Sequence, residues 1–331
     1  MKTRNFQCLI MATALSGLLL AACNKSNNNS SSGTSDQDLQ TQSDDEARVS
    51  TETDAAFDDI NTAMSTEASV TGASQAPALR YGVSVTGGNN DTVKTSICDA
   101  VVTIDTVDNP RTITITYNGS NCLLTRVRTG SIVISIPRGT IWSQAGAHVS
   151  VTFNNLKIVR ALDGKGITLN GTHTYTNVSG GSLLSLNANS TTPIVHSITS
   201  SDMSITFDNG AKRSWNIARQ RSFSYSGGIV ITETGLHTDG SMSGISEWGT
   251  NRFGNSFETQ ISQALVVSQS CAWQMTGGQV VLTNSAGSIT VTFGLNSTGQ
   301  SISCPMGSGT YYYELVWAGS SGKTYTFILP Y

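Results

Sequence analysis

Apolar and polar residues alternate over most of the chain after about residue 81. Ile, Val or Phe takes one position and mainly Ser or Thr the next. A period of two places the apolar side chains on one face of a β-strand. The alternation is clearest in five segments: 112–117, 131–136, 148–153, 203–207 and 288–293. Asn-Gly and Asp-Gly pairs between such segments favour hairpin turns. The pattern therefore predicts an all-β fold of antiparallel sheets, sandwich-like or extended, in two possibly related halves.

A helical period precedes the strands. Five apolar residues recur at three- and four-residue spacing: Ala56, Phe57, Ile60, Ala63 and Met64. This spacing predicts one short amphipathic helix over residues 52–66, as a packing element. Residues 23–51 are rich in Asn, Ser, Gln and Asp, a composition that predicts a flexible polar tether.

Four cysteines frame two similar hairpins. Segments 112–117 and 288–293 match in residue type, and each belongs to a predicted hairpin with one cysteine before it and one after it. The four thiols allow three pairings, and the framing predicts Cys98–Cys122 and Cys271–Cys304. Residues 81–235 then form a first β region and residues 236–331 a second.

Composition limits the classes of partner. The chain has 331 residues, a formal net charge of −3 and only 12% charged residues, which gives no basic character for nucleic acid. None of the four histidines belongs to a metal-binding motif, and no Cys-x-x-Cys pair occurs. No metal site and no cofactor is therefore predicted. His148 and His173 are interpreted as solvated residues on the polar faces of strands.

The first residues have the order of an export signal. Lys2 and Arg4 precede an apolar run that ends in Leu20-Ala21-Ala22-Cys23. This ending resembles the lipobox of bacterial lipoproteins. The resemblance implies that residues 1–22 are a cleaved signal peptide and that Cys23 carries three acyl chains, enough for stable anchoring. It predicts a lipid-anchored protein of the cell envelope, at the outer membrane; the periplasmic and the surface side both stay open.

The lipobox, the polar tether and the framed hairpins together resemble all-β envelope lipoproteins of the Bacteroidota type. The resemblance covers about two thirds of the chain. It rests mainly on these segments and residues: 110–117, Cys122, Arg128, Gly130, 251–257, Leu265, 271–273, 277–278, 293–294, Cys304 and 322–325. No reaction is assigned to that family, so the resemblance implies a compartment and a fold but no catalytic residues.

One strand carries cations interleaved with an aromatic residue. Arg213, Trp215, Arg219 and Arg221 share one face if the strand runs without a break. Such a face could bind an anionic glycan or lipid headgroup through charge and stacking. The alternative is a solvated sheet face on which the arginine stems cover the tryptophan.

The function predicted from the sequence is a non-enzymatic envelope module. It is anchored in the membrane through its lipid and binds a glycan or an envelope protein, or fills a structural role. The alternative is a carbohydrate-active or other hydrolase whose site is assembled from distant residues. Glu233 with Glu247 is one possible carboxylate pair, since glycoside hydrolysis needs two.

Overall fold

One long helix and one continuous antiparallel sheet make up most of the part of the chain that the computed structural model of the protein describes. The structure describes residues 36–65, 91–93, 97–122, 124–304, 310–319 and 322–331. Cys23 and the predicted signal peptide lie outside these residues. The prediction of an all-β antiparallel fold with one N-terminal helix is confirmed. Among the described residues, no helix is both long enough and apolar enough to cross a bilayer.

The regular elements follow one another with short connections. The helix α1 spans Asp36–Ser65. The strands are β1 Asp91–Val93, β2 Ala100–Asp105, β3 Arg111–Ser120, β4 Arg126–Ile136, β5 Ala147–Arg160, β6 Gly166–Asn177, β7 Ile194–Phe207, β8 Lys212–Tyr225, β9 Ile229–Gly235, β10 His237–Asp239, β11 Met242–Thr250, β12 Ser256–Ser268, β13 Gln274–Asn284, β14 Gly287–Leu295, β15 Tyr312–Gly319 and β16 Thr324–Pro330.

The strands form a meander that is interrupted once. Each of β1 to β8 pairs with the next in the chain, as does each of β11 to β16. β11 and β9 lie end to end between β8 and β12. β11 pairs with the first halves of β8 and β12, and β9 pairs with their second halves. Hydrogen bonding therefore continues across the predicted boundary at residues 235 and 236, and the two β regions form one sheet.

Alternation places the apolar side chains on the face that meets the helix. In β3, Ile113, Ile115 and Tyr117 are buried, whereas the threonines between them are partly or fully exposed. The same core contains Phe57 and Ile60 of α1. One apolar core thus lies between α1 and the inner face of the sheet, and the Ser/Thr positions form the outer face.

The sheet must curve around the helix. Side chains of α1 bond to β3, β4, β8, β12 and β13. Eight pairing steps separate β3 from β13, which would be about 38 Å in a flat sheet. A helix with its side chains is only about 10–12 Å across. It can contact all of these strands only if they wrap around it.

Bulges supply part of this curvature. Gly130 of β4 has φ +96°, and a Cβ at this position would overlap the carbonyl oxygen of Asn155. Asn155 itself has φ +47°, and the pairing of β4 with β5 shifts register beside it. A bulge bends and twists a strand locally, and only glycine permits this close approach.

The helix is longer than predicted. It begins at Asp36 rather than at residue 52, so residues 36–51 are helical instead of part of a flexible tether. The added turns are held by ion pairs, among them Asp45 with Arg252 and Glu46 with Arg213. These partners lie far along the chain, so local composition alone did not reveal that the segment would be ordered.

Both predicted disulfides are confirmed. Cys98–Cys122 encloses the hairpin of β2 and β3, and Cys271–Cys304 encloses the hairpin of β13 and β14. The matching segments 112–117 and 288–293 lie in the second strand of each hairpin. Two equivalent covalent links thus stabilise hairpins on opposite sides of the interrupted meander.

Candidate functional site

The predicted cationic face of β8 lies inside the molecule. Trp215 is fully buried, and Arg213 and Arg219 are 2% and 5% exposed. Arg221 is partly buried. The expectation of an accessible face is therefore corrected: the four side chains share one face as predicted, but it is the inner one, covered by α1. The guanidinium groups meet carboxylates there instead of solvent, and both the helix and the neighbouring strands β9 and β11 supply these acids.

Glu247 of β11 is the centre of the first group of contacts. Its Oε2 accepts hydrogen bonds from the Trp215 indole at 2.7 Å and from Arg213 at 3.1 Å. Its Oε1 pairs with Arg219. The antiparallel register sets Glu247 opposite Ile217, so the cations of β8 flank it. One buried carboxylate thereby pairs with two buried guanidinium groups, and Glu46 and Glu233 supply further negative charge to them.

Glu233 of β9 is the centre of the second group. Arg219 donates to it at 3.1 Å, and Arg221 donates through Nε at 2.5 Å. Arg221 also pairs with Asp54 of α1 at 2.5 Å. Burial raises the pKa of Glu233, but the charges and hydrogen bonds of Arg221 and Arg219 outweigh it and hold that pKa below its usual value.

We name these seven residues the ion-pair layer: Glu46, Asp54, Arg213, Arg219, Arg221, Glu233 and Glu247. It joins α1 to β8, β9 and β11. Arg219 bridges the two glutamates, so the proposed hydrolytic pair does come together, but as ligands of one guanidinium. General acid catalysis needs a carboxyl group that keeps its proton near neutral pH. The pKa of Glu233 is instead lowered, so this carboxyl group loses its proton more readily than an ordinary glutamate.

Acidic residues of the helix were missed as site residues. Asp45, Glu52 and Asp59 pair with Arg252, Arg126 and Arg128 at 2.5, 2.8 and 2.6 Å. Their seven-residue spacing puts them on one side of a helix, and this regular spacing was the available signal. The identity of the strands that supply their partners was not in the sequence.

His173 is buried, which corrects the expectation that it is a solvated residue on the polar face of its strand. It has the same parity along β6 as Leu169 and Tyr175 and is completely buried. Its ring lies against Phe57, Phe153 and Trp215, at centroid distances of 5.5, 5.0 and 5.9 Å. Burial, assisted by the charge of Arg219, lowers its pKa to about 3. The ring is therefore a neutral part of the core.

This burial predicts loss of stability in acid. The unfolded chain protonates His173 near pH 6.5, whereas the folded chain does so only near pH 3. Unfolding is therefore favoured increasingly as the pH falls through this window, by about 2 kcal/mol at pH 5. The variant His173→Leu should lose this contribution, so its free energy of unfolding relative to the wild type should rise between pH 7 and pH 5 in urea titrations.

The comparison between variants is needed because other groups act in the opposite direction. Burial raises the pKa of Asp45 to about 6 and that of Asp58 to about 8, and such carboxyls favour the folded state as the pH falls. Both are present in the wild type and in the variant, so their contribution cancels. His148 is exposed, and His148→Leu is the control for the same substitution at a site outside the core. An equal pH response of the two variants would contradict the assignment.

Within the described residues, no three His, Cys, Asp or Glu side chains come together as metal ligands. The clustered charges lie beneath α1, and the outer face presents mainly hydroxyl groups. Comparison of the chain with protein-family models, with curated proteins and with solved structures finds no match.

Proposed function

We propose that the protein is a lipid-anchored, non-enzymatic module of the bacterial cell envelope, held at the outer membrane through Cys23. The observation that carries the non-enzymatic part is the pairing of Arg219 with both Glu233 and Glu247 beneath the helix. Side chains that could act on a substrate are used instead to join α1 to the sheet. The lipobox-like Leu20-Ala21-Ala22-Cys23 supports the anchor.

The outer face of the sheet is the surface left for a partner. The register aligns Thr112, Ser135, Ser150, Thr174 and Thr199 in one row across five strands. Hydroxyl groups both donate and accept hydrogen bonds, which suits the hydroxyl groups of a glycan or the polar surface of an envelope protein. In this proposal the curved sheet is a rigid scaffold, and a partner meets its outer face.

The anchor is tested on Cys23. In the native host, mass spectrometry of the mature protein should find residues 1–22 removed and Cys23 acylated. Cys23→Ser should remove the acyl chains, and the protein should move from the membrane fraction to the soluble fraction. Cys8→Ser is the matched control, because this residue leaves with the signal peptide. A mature protein that keeps residues 1–22, or an unmodified Cys23, would contradict the anchor.

A further inference from the structure

One end of the molecule is defined by the start of the helix. Asp44 lies 3.6 Å from Arg160 and 3.5 Å from Lys165, which flank the turn between β5 and β6. Asp45 pairs with Arg252 in the turn between β11 and β12. We call this the tethered end: the turns at residues 161–165, 208–211, 251–255 and 285–286 lie there, as do residues 121–122 and 124–125 between β3 and β4. Thr125 adjoins the next turn, because its carbonyl oxygen accepts a hydrogen bond from the amide of Ala161 at 2.9 Å.

Exposed apolar side chains gather at the tethered end. Nine large ones are exposed among the described residues. Three of them lie on its turns: Leu124, Leu162 and Phe253. Three more are the second residues of strands that start there: Val101, Val127 and Tyr325. Val107 and Val178 lie on connections at the opposite end, and the ninth, Leu236, lies between β9 and β10. Exposed apolar side chains that gather on one surface mark sites of contact with a protein or a membrane.

The length of chain before the helix limits where a lipid on Cys23 can be. Cys23 and Asp36 are separated by 13 positions, since 36 − 23 = 13, and such a chain spans at most about 47 Å. The helix of 30 residues is itself about 45 Å long. Placing the opposite end on the bilayer would require these residues to run back along the whole helix at almost full extension. The tethered end has no such constraint.

We infer that the tethered end docks on the lipid bilayer, with Leu124, Leu162 and Phe253 in contact with its interfacial region. The inference rests on the proposed anchor at Cys23 and adds a fixed orientation to it. The anchor holds the apolar turns near the membrane. Contact with the bilayer then buries the exposed side chains of these turns. The helix axis is directed away from the bilayer. The opposite end, with Val107 and Val178, is then the end farthest from the membrane.

The test uses the mature protein, acylated at Cys23, in vesicles of phosphatidylethanolamine and phosphatidylglycerol. Leu162→Cys and Phe253→Cys each receive an environment-sensitive fluorophore, and Val178→Cys is the matched control. The native side chains are 78%, 39% and 46% exposed, so all three sites accept a label. At Leu162 and Phe253 we expect blue-shifted emission that is quenched by nitroxide-labelled lipids. At Val178 we expect emission as in buffer and no quenching.

The outcomes separate the two proposals. Equal quenching at the three sites, or none at Leu162 and Phe253, in a protein whose Cys23 is acylated would overturn the docking and leave the anchor intact. An unacylated Cys23 by mass spectrometry would overturn the anchor, and the docking inference with it. Circular dichroism of each labelled protein before reconstitution establishes that the substitutions leave the fold intact.

Discussion

Glu247→Gln is expected to lower the free energy of unfolding by about 3–5 kcal/mol, because it removes one partner of a buried ion pair. The glutamine keeps the shape of the side chain but leaves Arg213 and Arg219 without the charge that Glu247 supplies to both. Arg219 keeps Glu233, and Arg213 keeps Glu46. Urea denaturation monitored by tryptophan fluorescence measures the loss.

Glu258→Gln is the matched control. Glu258 lies on β12 opposite Trp248 and is only partly buried. Because it is outside the ion-pair layer, its replacement should change stability by no more than about 0.5 kcal/mol. Similar losses in the two variants would mean that Glu247 does not neutralise buried charge. An enzyme whose site used Glu247 would instead lose activity while keeping its stability.

Phe57→Ala is expected to cost about 3–5 kcal/mol, as large-to-small changes in a packed core do. Phe57 is completely buried where α1 meets the sheet. Its ring contacts Tyr175 and His173 at centroid distances of 5.3 and 5.5 Å, and the Arg221 guanidinium lies 5.3 Å from its centroid. The loss would appear as a lower urea midpoint with an unchanged slope.

Phe253→Ala provides the comparison for the same chemical change at a half-exposed site. It should alter the free energy of unfolding by less than about 1 kcal/mol in the absence of membranes. Should Phe57→Ala prove equally mild, the helix would not be an integral part of the core. The helix would then be a detachable segment, and the inner face of the sheet would have to be stable without it.

The sequence pattern was sufficient to predict those elements whose formation depends on neighbouring residues. Alternation in 112–117 predicted β3, and the cysteine framing predicted both disulfides, because strands and hairpins depend on neighbouring residues. The inner and outer faces of β8 were not distinguishable, since arginine is ordinarily a surface residue. Its burial depends on Glu233, Glu247 and Asp54, and one of these is 167 residues away from Arg221.

The same reason explains the underestimated helix. Residues 36–51 contain few apolar side chains, and their order depends on arginines of the sheet. The polar stretch resembles a tether in composition but supplies four of the eight ion pairs that join the helix to the rest of the described chain. Sequence patterns that are read within a short window record propensity, whereas this segment is stabilised by charges from distant strands.

The reach of the helix along the chain has a consequence for the order of folding. Gln42 bonds to Asn251 and to Asn284, partners that follow it by 209 and 242 residues. During synthesis the helix segment is made first, and its final partners are made only with β13. Contacts of such separation close slowly. We therefore expect the apolar inner face to be completed only after β13 has been made, and the chain to depend most on chaperones in this interval.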